Sequence, residues 1–203
     1  MKLACLFSGG KDSTYALYLT LKEGHEVAYL VSVFPESPES YMFHYPMIEK
    51  TIEQAEAIGI KHIIVRTKGE KEKELEDLKN ALSRLDVEGV VSGAIASNYQ
   101  KSRIDRIAKE LGIASLAPLW HKDEERLLKE QIDSGFEIII THVAAQGLDK
   151  SWIGRRIDRK ALEELKKIRE KYQINLSGEG GEFETLVLDC PLFSHPIKAP
   201  GKG

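Results

Sequence analysis

Short runs of almost continuously apolar residues alternate with segments that have the apolar period of a helix. The apolar runs are Leu3–Phe7, Val27–Val33, His62–Val65, Gly89–Ala94 and Glu137–Thr141. Continuous rather than alternating apolarity indicates strands that are covered on both faces, as in a parallel sheet. This pattern constrains the fold more strongly than any other feature of the chain.

The segments between these runs predict helices with clear ends. They are Ser13–Lys22, Pro46–Ile58, Glu70–Leu85 and Tyr99–Leu111. Gly24, Gly59 and Gly112 follow three of them, and glycine is the residue that most often ends a helix. Strands and helices therefore alternate, which predicts βαβ units and a doubly wound, mostly parallel α/β sheet.

The pattern changes after about Ser115. Charged helices at Lys122–Asp133 and Asp158–Tyr172 are followed by a glycine-rich stretch and a final strand at Leu186–Asp189. We therefore expect a first domain over residues 1–120 and a smaller C-terminal α+β part over residues 121–197 that packs on it. Residues 198–203 are expected to be a flexible tail.

The composition excludes several classes of protein. Apolar residues make up 42% and charged residues 30% of the chain, which is ordinary for a folded domain. The net charge of -3 gives no general attraction to phosphate backbones, so no direct nucleic acid binding is expected. Two cysteines form no disulfide or zinc pattern, and no apolar run is long enough to span a membrane. We expect a cytoplasmic protein.

The string SGGKDS, residues 8–13, joins the first predicted strand to the first predicted helix. Gly9 and Gly10 let the backbone turn sharply and present its N–H groups to phosphate oxygens at the positive end of a helix. The other members add hydroxyl donors, a positive charge and a carboxylate suited to Mg²⁺: Ser8, Ser13, Lys11 and Asp12. The string matches neither the Walker A nor the Rossmann pattern, yet it predicts a site for the polyphosphate of ATP. A glycine turn followed by an ordinary helix cap is the alternative.

In this context SGGKDS resembles the pyrophosphate-binding loop of the N-type ATP pyrophosphatases. The resemblance implies an adenine nucleotide alpha hydrolase-like nucleotide-binding domain over residues 1–120. It also implies that a substrate oxygen attacks the α-phosphate of ATP and that pyrophosphate leaves into the loop, whose donors stabilise the growing charge. Lys11 and Asp12 are then the expected catalytic residues of the loop, and Asp12 is the expected ligand of Mg²⁺.

Four further strings narrow the resemblance. They are GAIASNYQKSRIDRIAKELGI at residues 93–113, PLWHKDEERLL at 118–128, VAAQGLDKSWIGR at 143–155 and GEGGEFETLVLDCPLF at 178–193. From Leu3 to about Ile197 the chain is similar to the diphthine-ammonia ligase family, which completes diphthamide on translation elongation factor 2. The pair formed by SGGKDS and GEGGEFET is the most specific part of this similarity.

The resemblance implies that the carboxylate of diphthine takes AMP from ATP and that ammonia displaces the AMP to form an amide. The partners are then elongation factor 2 carrying diphthine, ammonium and ATP, with Mg²⁺ as cofactor. The longer eukaryotic members have extra C-terminal domains, and no glutaminase nucleophile is evident here, so ammonia is expected to arrive free or from a partner. The oligomeric state is left open, a homodimer included.

Candidate ligand residues follow the fourth predicted strand at its carboxyl end, where ligands bind in open α/β sheets. Ser97, Gln100 and Arg103 are candidates for binding ATP, and Tyr99 is a candidate for the substrate, with packing as its alternative. Arg103 is suited to clamping a phosphate with two hydrogen bonds or, alternatively, to pairing with an acidic residue of the same helix.

Three glutamates lie among the glycines of GEGGEFET. Glu182 and Glu184 are candidate catalytic residues, and a substrate site is expected at Glu179, Gly180, Gly181 and Glu182. A carboxylate there is suited to orienting or deprotonating ammonium, holding a metal, or attracting the trimethylammonium group of diphthine. The sequence does not choose among these roles, and a charged, solvated turn is the alternative.

Two other functions remain open. One is a module that binds ATP as a sensor without turnover, although the carboxylates of Asp12 and GEGGEFET argue against it. The other is a tRNA-modifying N-type ATP pyrophosphatase, which in thiolation needs a sulfur-carrying cysteine and a basic face for RNA. Neither of those two features is evident in the sequence.

Overall fold

The computed structural model describes residues 1–36, 38–68 and 70–201. The strands are β1 (Lys2–Leu6), β2 (Glu26–Pro35), β3 (Lys61–Thr67), β4 (Gly89–Val91), β5 (Ala114–Leu116), β6 (Glu137–Val143) and β7 (Phe183–Asp189). The helices are α1 (Lys11–Lys22), α2 (Pro38–Ile58), α3 (Lys71–Ser83), α4 (Asn98–Leu111), α5 (Glu124–Asp133) and α6 (Arg159–Tyr172), with a 3₁₀ turn at Lys150–Trp152. Of the predicted tail, residues 202 and 203 lie outside the described residues.

Strand β1 lies at the centre of a five-stranded parallel sheet with the order β3-β2-β1-β4-β5. The predicted doubly wound parallel sheet is thus confirmed. The chain runs outward from β1 to β3 and then places β4 on the other side of β1, so the strand order reverses between β1 and β4. Ligands bind outside the carboxyl ends of the strands at such a switch point. The loops after β1 and β4 line this crevice.

Two elements differ from the sequence-based expectation. The apolar pattern does not predict β5, because this strand has only three residues and none of them is fully buried. Helix α2 begins at Pro38, before the predicted start at Pro46. None of the helices within the described residues combines the length and the apolarity needed to cross a membrane.

The fifth apolar run forms β6, which lies outside the parallel sheet and pairs antiparallel with β7. The run is continuously apolar because both of its faces are covered. Ile138 and Ile140 pack into the main core, whereas Ile139 packs with Leu186 and Leu188. The second part of the chain therefore has its own antiparallel sheet, together with α5 and α6.

One apolar cluster joins the two parts of the chain. It contains Leu17 of α1 and Val91 of β4 together with Leu128 of α5, Leu165 of α6 and Val187 of β7. Burying an apolar side chain of this size contributes roughly 1.5–3 kcal/mol relative to leaving it exposed. The second part is therefore held against the first by a shared core.

His62 on β3 gives a prediction about stability and pH. Its Nε2 lies 2.8 Å from Ser32 Oγ, and burial lowers the pKa of His62 below its ordinary value of 6.5. Because the unfolded chain binds this proton at a higher pH than the folded chain, protonation favours unfolding. We predict that the free energy of unfolding decreases as the pH falls below about 6.5, and that His62→Gln reduces this decrease.

Chemical unfolding measured from about pH 8 to about pH 5 checks this prediction. His195→Gln, a replacement at an exposed position, is the matched control. The same pH dependence in the wild type and in His62→Gln would contradict the prediction.

Candidate functional site

The SGGKDS loop turns from β1 into α1 at the switch point of the sheet. Gly9 has a φ of +81°, and a Cβ at this position would overlap Oε1 of Gln54, so glycine is needed both for conformation and for space. Gly10 is the N-cap of α1 and offers no side chain of its own to the first-turn N–H groups, of which Lys11 N is bonded to Thr185 Oγ1. These groups and the helix dipole together form an end that favours an anion.

The two serines of the loop hold it in shape. The hydroxyls of Ser8 and Ser13 are 3.0 Å apart, and Ser8 N donates to Ser13 Oγ at 3.1 Å. Gly10 N donates to Ser8 Oγ at 3.3 Å. Both hydroxyls, which are predicted to bind phosphate, therefore also close the loop on itself.

Strand β7 is hydrogen-bonded directly to the loop. Thr185 Oγ1 accepts from Lys11 N at 3.1 Å, and Val187 N donates to Gly9 O at 3.0 Å. Gln54 Nε2 of α2 donates to Gly9 O at 3.0 Å and to Val187 O at 2.7 Å. The strings SGGKDS and GEGGEFET, which lie near opposite ends of the sequence, are thus neighbours in the fold.

The side chain of Lys11 is 2% exposed and reaches toward the C-terminal part of the chain. Its ammonium donates to both carboxylate oxygens of Asp12, at 2.9 and 2.8 Å, and to the carbonyl oxygen of Ser177 at 2.7 Å. A buried charge is costly unless it is paired and hydrogen-bonded, and these oxygens meet that need. The predicted contact of Lys11 with phosphate stays a prediction.

Asp12 has the properties expected of a magnesium ligand. Its side chain is 22% exposed, and besides Lys11 it accepts from Gln131 Nε2 at 2.9 Å. A carboxylate offers about four lone-pair sites, so these three bonds leave capacity for a cation. Mg²⁺ is commonly held by one or two carboxylates together with phosphates of the substrate. Within residues 1–36, 38–68 and 70–201, no group of three or more His, Cys, Asp or Glu side chains is placed to hold a metal alone.

The first half of GEGGEFET is fixed to the loop that follows β4. Glu179 Oε2 accepts from Ile95 N at 2.6 Å, and Glu179 Oε1 accepts from Ala96 N at 2.9 Å. Gly181 has a φ of +91°, a conformation that other residues rarely adopt, and Gly180 lies beside an open cleft. Glu179 therefore joins the two loops, and the predicted role of all three residues in binding substrate stays a prediction.

The two candidate catalytic glutamates differ in their surroundings. Glu182 Oε2 accepts from Asn175 N at 2.6 Å, whereas Glu182 Oε1 is buried next to Gly180 and has no hydrogen-bond partner among the described residues. Glu184 is exposed and lies opposite His142 in the β6–β7 ladder. A buried carboxylate oxygen without a hydrogen-bond donor is unfavourable. Of these two glutamates, Glu182 is therefore the one at which a hydrogen bond from a ligand N–H group would be more favourable.

Helix α4 presents the remaining candidates. Ser97 is its N-cap, with Oγ accepting from Gln100 N at 3.3 Å. The guanidinium of Arg103 lies 3.3 Å from the centre of the Tyr99 ring and donates to Tyr99 O, whereas the acidic residues of α4 pair with lysines and with Arg106. The structure thus assigns Ser97 a capping contact and Arg103 a stacking contact, and their predicted contacts with ATP stay predictions.

Several residues that hold the site together are not found by sequence reasoning. They are Gln54, Gln131, Ser177 and Thr185. Gln54 and Gln131 are fully buried polar residues on the buried faces of α2 and α5, and a glutamine at such a position is the signal that would have identified them. Thr185 and Ser177 carry no such signal, because their importance depends on contacts with α1.

The family models and the curated relatives that resemble this chain relate by name to diphthamide synthesis. The diphthamide synthase N-terminal domain matches residues 1–115, and the diphthamide synthase C-terminal domain matches residues 123–200. A Rattus norvegicus protein named diphthine–ammonia ligase is 36% identical, over 97% of this chain and 82% of its own length. The Homo sapiens protein of that name is 34% identical with the same coverage. The Schizosaccharomyces pombe protein of that name is 36% identical over 97% of this chain, which spans only 36% of the yeast protein.

The chain is also similar to a solved structure. It is described as a predicted subunit of tRNA methyltransferase from Methanocaldococcus jannaschii, and it matches 94% of this chain and 97% of its own with 20% identity and a TM-score of 0.48.

Gly93 gives a prediction about the packing of the site. A Cβ at residue 93 would lie 2.9 Å from Ser13 N and 3.0 Å from the carbonyl carbon of Asp12, and backbone atoms cannot move aside as a flexible side chain can. We predict that Gly93→Ala destabilises the fold by about 1–3 kcal/mol and weakens the nucleotide binding that the sequence predicts, because it displaces the first turn of α1.

Unfolding experiments and nucleotide titration of Gly93→Ala check this prediction. Gly201→Ala is the matched control, because a Cβ at residue 201 would meet no atom within 4 Å. Wild-type stability and affinity in Gly93→Ala would show that the contact is not tight.

Proposed function

The chain belongs to the diphthamide synthase family, and on that premise we propose that it joins ammonia to the carboxylate of diphthine on elongation factor 2 at the expense of ATP. Its curated relatives with 32–36% identity all carry the name diphthine–ammonia ligase. The proposed products are the amide of diphthamide, AMP and pyrophosphate. The single observation that carries the proposal is the direct hydrogen bonding of β7 to the SGGKDS loop.

That contact matters because the proposed reaction needs two kinds of group within one site. The SGGKDS loop offers N–H groups, hydroxyls and the positive end of α1, which suit a leaving pyrophosphate. The GEGGEFET string offers carboxylates, which suit ammonium and a trimethylammonium group. A nucleotide site alone would not need the second set.

The reaction has two steps in this proposal. In the first, an oxygen of the acceptor carboxylate bonds to the α-phosphorus, and the bond from that phosphorus to pyrophosphate breaks. In the second, the nitrogen lone pair of ammonia bonds to the acyl carbon, the bond to AMP breaks, and a proton leaves the nitrogen. Asp12 would hold Mg²⁺, which when bound neutralises charge on the polyphosphate.

Sulfur transfer to tRNA finds no support in the cysteines. Both are free and buried, and burial raises the pKa of the Cys5 thiol to about 12 and that of the Cys190 thiol to about 11. Only the thiolate is an effective nucleophile, so neither residue is suited to carrying sulfur. A sensor without turnover is the remaining alternative, and a turnover assay separates it from the ligase.

The decisive experiment incubates the chain with ATP, Mg²⁺, isotopically labelled ammonium and elongation factor 2 carrying diphthine. We expect AMP and pyrophosphate to form only when the modified acceptor is present, and mass spectrometry to find the label in the acceptor as an amide. The unmodified elongation factor is the control acceptor. ATP binding without acceptor-dependent AMP would favour the sensor and refute the ligase.

Asp12 tests the magnesium role. Asp12→Asn keeps the size of the side chain but removes the charge, and we predict that turnover falls by several powers of ten, each tenfold being about 1.4 kcal/mol. Because the buried Lys11 ammonium would lose its counterion, the variant should also be less stable. The double variant Lys11→Met with Asp12→Asn should recover stability but not turnover, and unchanged turnover in Asp12→Asn would refute the role.

Glu182 tests the acceptor side of the site. We predict that Glu182→Gln raises the KM for ammonium or lowers kcat by at least about tenfold while the KM for ATP stays the same, because the buried Oε1 would lose its charge. Glu184→Gln, two residues away and exposed, is the matched comparison for position within the string. A parallel loss of ATP affinity in Glu182→Gln would instead place Glu182 in the nucleotide site.

A further inference from the structure

A cleft of about 490 Å³ opens at the carboxyl end of β4, beside the phosphate loop. Residues from both parts of the chain line it, among them Ser97, His121, Lys122, Asn175, Ser177 and Glu179. Its size is within the range of roughly 300–1,000 Å³ that is typical of small-ligand sites. It adjoins the loop, because Ser177, one of its lining residues, accepts the hydrogen bond from Lys11.

His121 at the rim of the cleft has an unusual backbone. Its φ is +63°, and among the described residues only Gln173 shares a positive φ without being glycine. The conformation is held because His121 N donates to Ile95 O at 2.7 Å, and the ring is stacked on Trp120 with centres 4.5 Å apart. His121 is an exposed residue, so core packing does not explain the strain. Strained residues of this kind cluster at ligand sites.

Charges of both signs surround the cleft. The ammonium of Lys122 forms an ion pair with the carboxylate of Glu130 at 3.8 Å, a distance too long for a hydrogen bond. Glu124 and Glu179 also line the cleft and contribute negative charge. The uncharged base of a nucleotide is a poor match for such a lining. A ligand that carries both a carboxylate and a quaternary ammonium matches both signs of charge.

We propose that this cleft is the acceptor subsite and that it binds the diphthine side chain, an imidazole that carries a carboxylate and a trimethylammonium group. The exposed ring of His121 stacks against the acceptor imidazole, and the ammonium of Lys122 faces the acceptor carboxylate. Glu124 and Glu179 face the trimethylammonium group. The proposal rests on the proposed function and adds to it the place where the acceptor binds.

Two variants that are expected to fold as the wild type does test the subsite. His121→Gly removes the ring but keeps a residue that adopts a positive φ freely, so its stability should not fall. Lys122→Met removes the ammonium and keeps much of the aliphatic chain. Gln173→Gly, at the other strained position, and Lys129→Met, on an exposed turn of α5, are the matched controls.

The measurements are KM and kcat for elongation factor 2 carrying diphthine, KM for ATP, and direct binding of the modified and unmodified acceptor. We expect each test variant to raise the acceptor KM by about tenfold or more, on the scale of one lost charge-assisted or stacking contact, with the ATP KM unchanged. Both controls should behave as the wild type does. An unchanged acceptor KM, or a rise in the ATP KM instead, would overturn the subsite.

The wild-type chain distinguishes a failure of the proposed function from a failure of the subsite. A wild-type chain that makes no amide would refute the ligase, whatever the variants do. The binding comparison then still decides the subsite: tighter binding of the modified than of the unmodified acceptor, lost in His121→Gly and Lys122→Met, supports it. The absence of that difference in the wild type would overturn it.

Discussion

An ammonium group that is removed from water needs oxygen atoms around it, and the ammonium of Lys11 obtains them from both ends of the chain. Asp12 supplies two oxygens from the next residue, and Ser177 supplies one from the C-terminal part. Leaving a buried charge without such partners costs several kcal/mol, a large part of the stability of an ordinary domain. The C-terminal part must therefore dock on the phosphate loop for the loop to keep this conformation.

The shared core and the polar contacts of the site reinforce one another. Apolar side chains from α1, β4, α5, α6 and β7 form one cluster, which brings β7 to the loop. Thr185 and Val187 then complete the hydrogen bonds of the loop, and Gln54 and Gln131 fix it from the two flanking helices. A site assembled in this way places carboxylates next to a phosphate-binding turn, and this neighbourhood is the basis of the proposed ligase reaction.

Much of the fold is predictable because strand and helix leave strong local patterns. The runs that form β1 to β4 are apolar on both faces, and glycines mark the ends of α1, α2 and α4, so the parallel sheet follows from the sequence. The short strand β5 is not predicted, because its three residues are at least partly exposed and form no apolar run. The pairing partner of β6 is not predicted either, because a strand that is covered on both faces has the same apolar pattern in a parallel and in an antiparallel sheet.

The sequence by itself determines the elements, the phosphate-loop string and the presence of a second glycine-rich string with three glutamates. These features depend on residues that are close together in the chain, and local propensity and spacing are sufficient to identify them. Only the tertiary structure decides that the two strings touch, that Lys11 is buried and that Glu179 joins two loops. It also decides that Glu182 keeps a buried oxygen with no partner in the part of the chain that the structure describes, and that His121 lies at the rim of a cleft. Those facts depend on which surfaces meet when the core closes, and no local pattern records that.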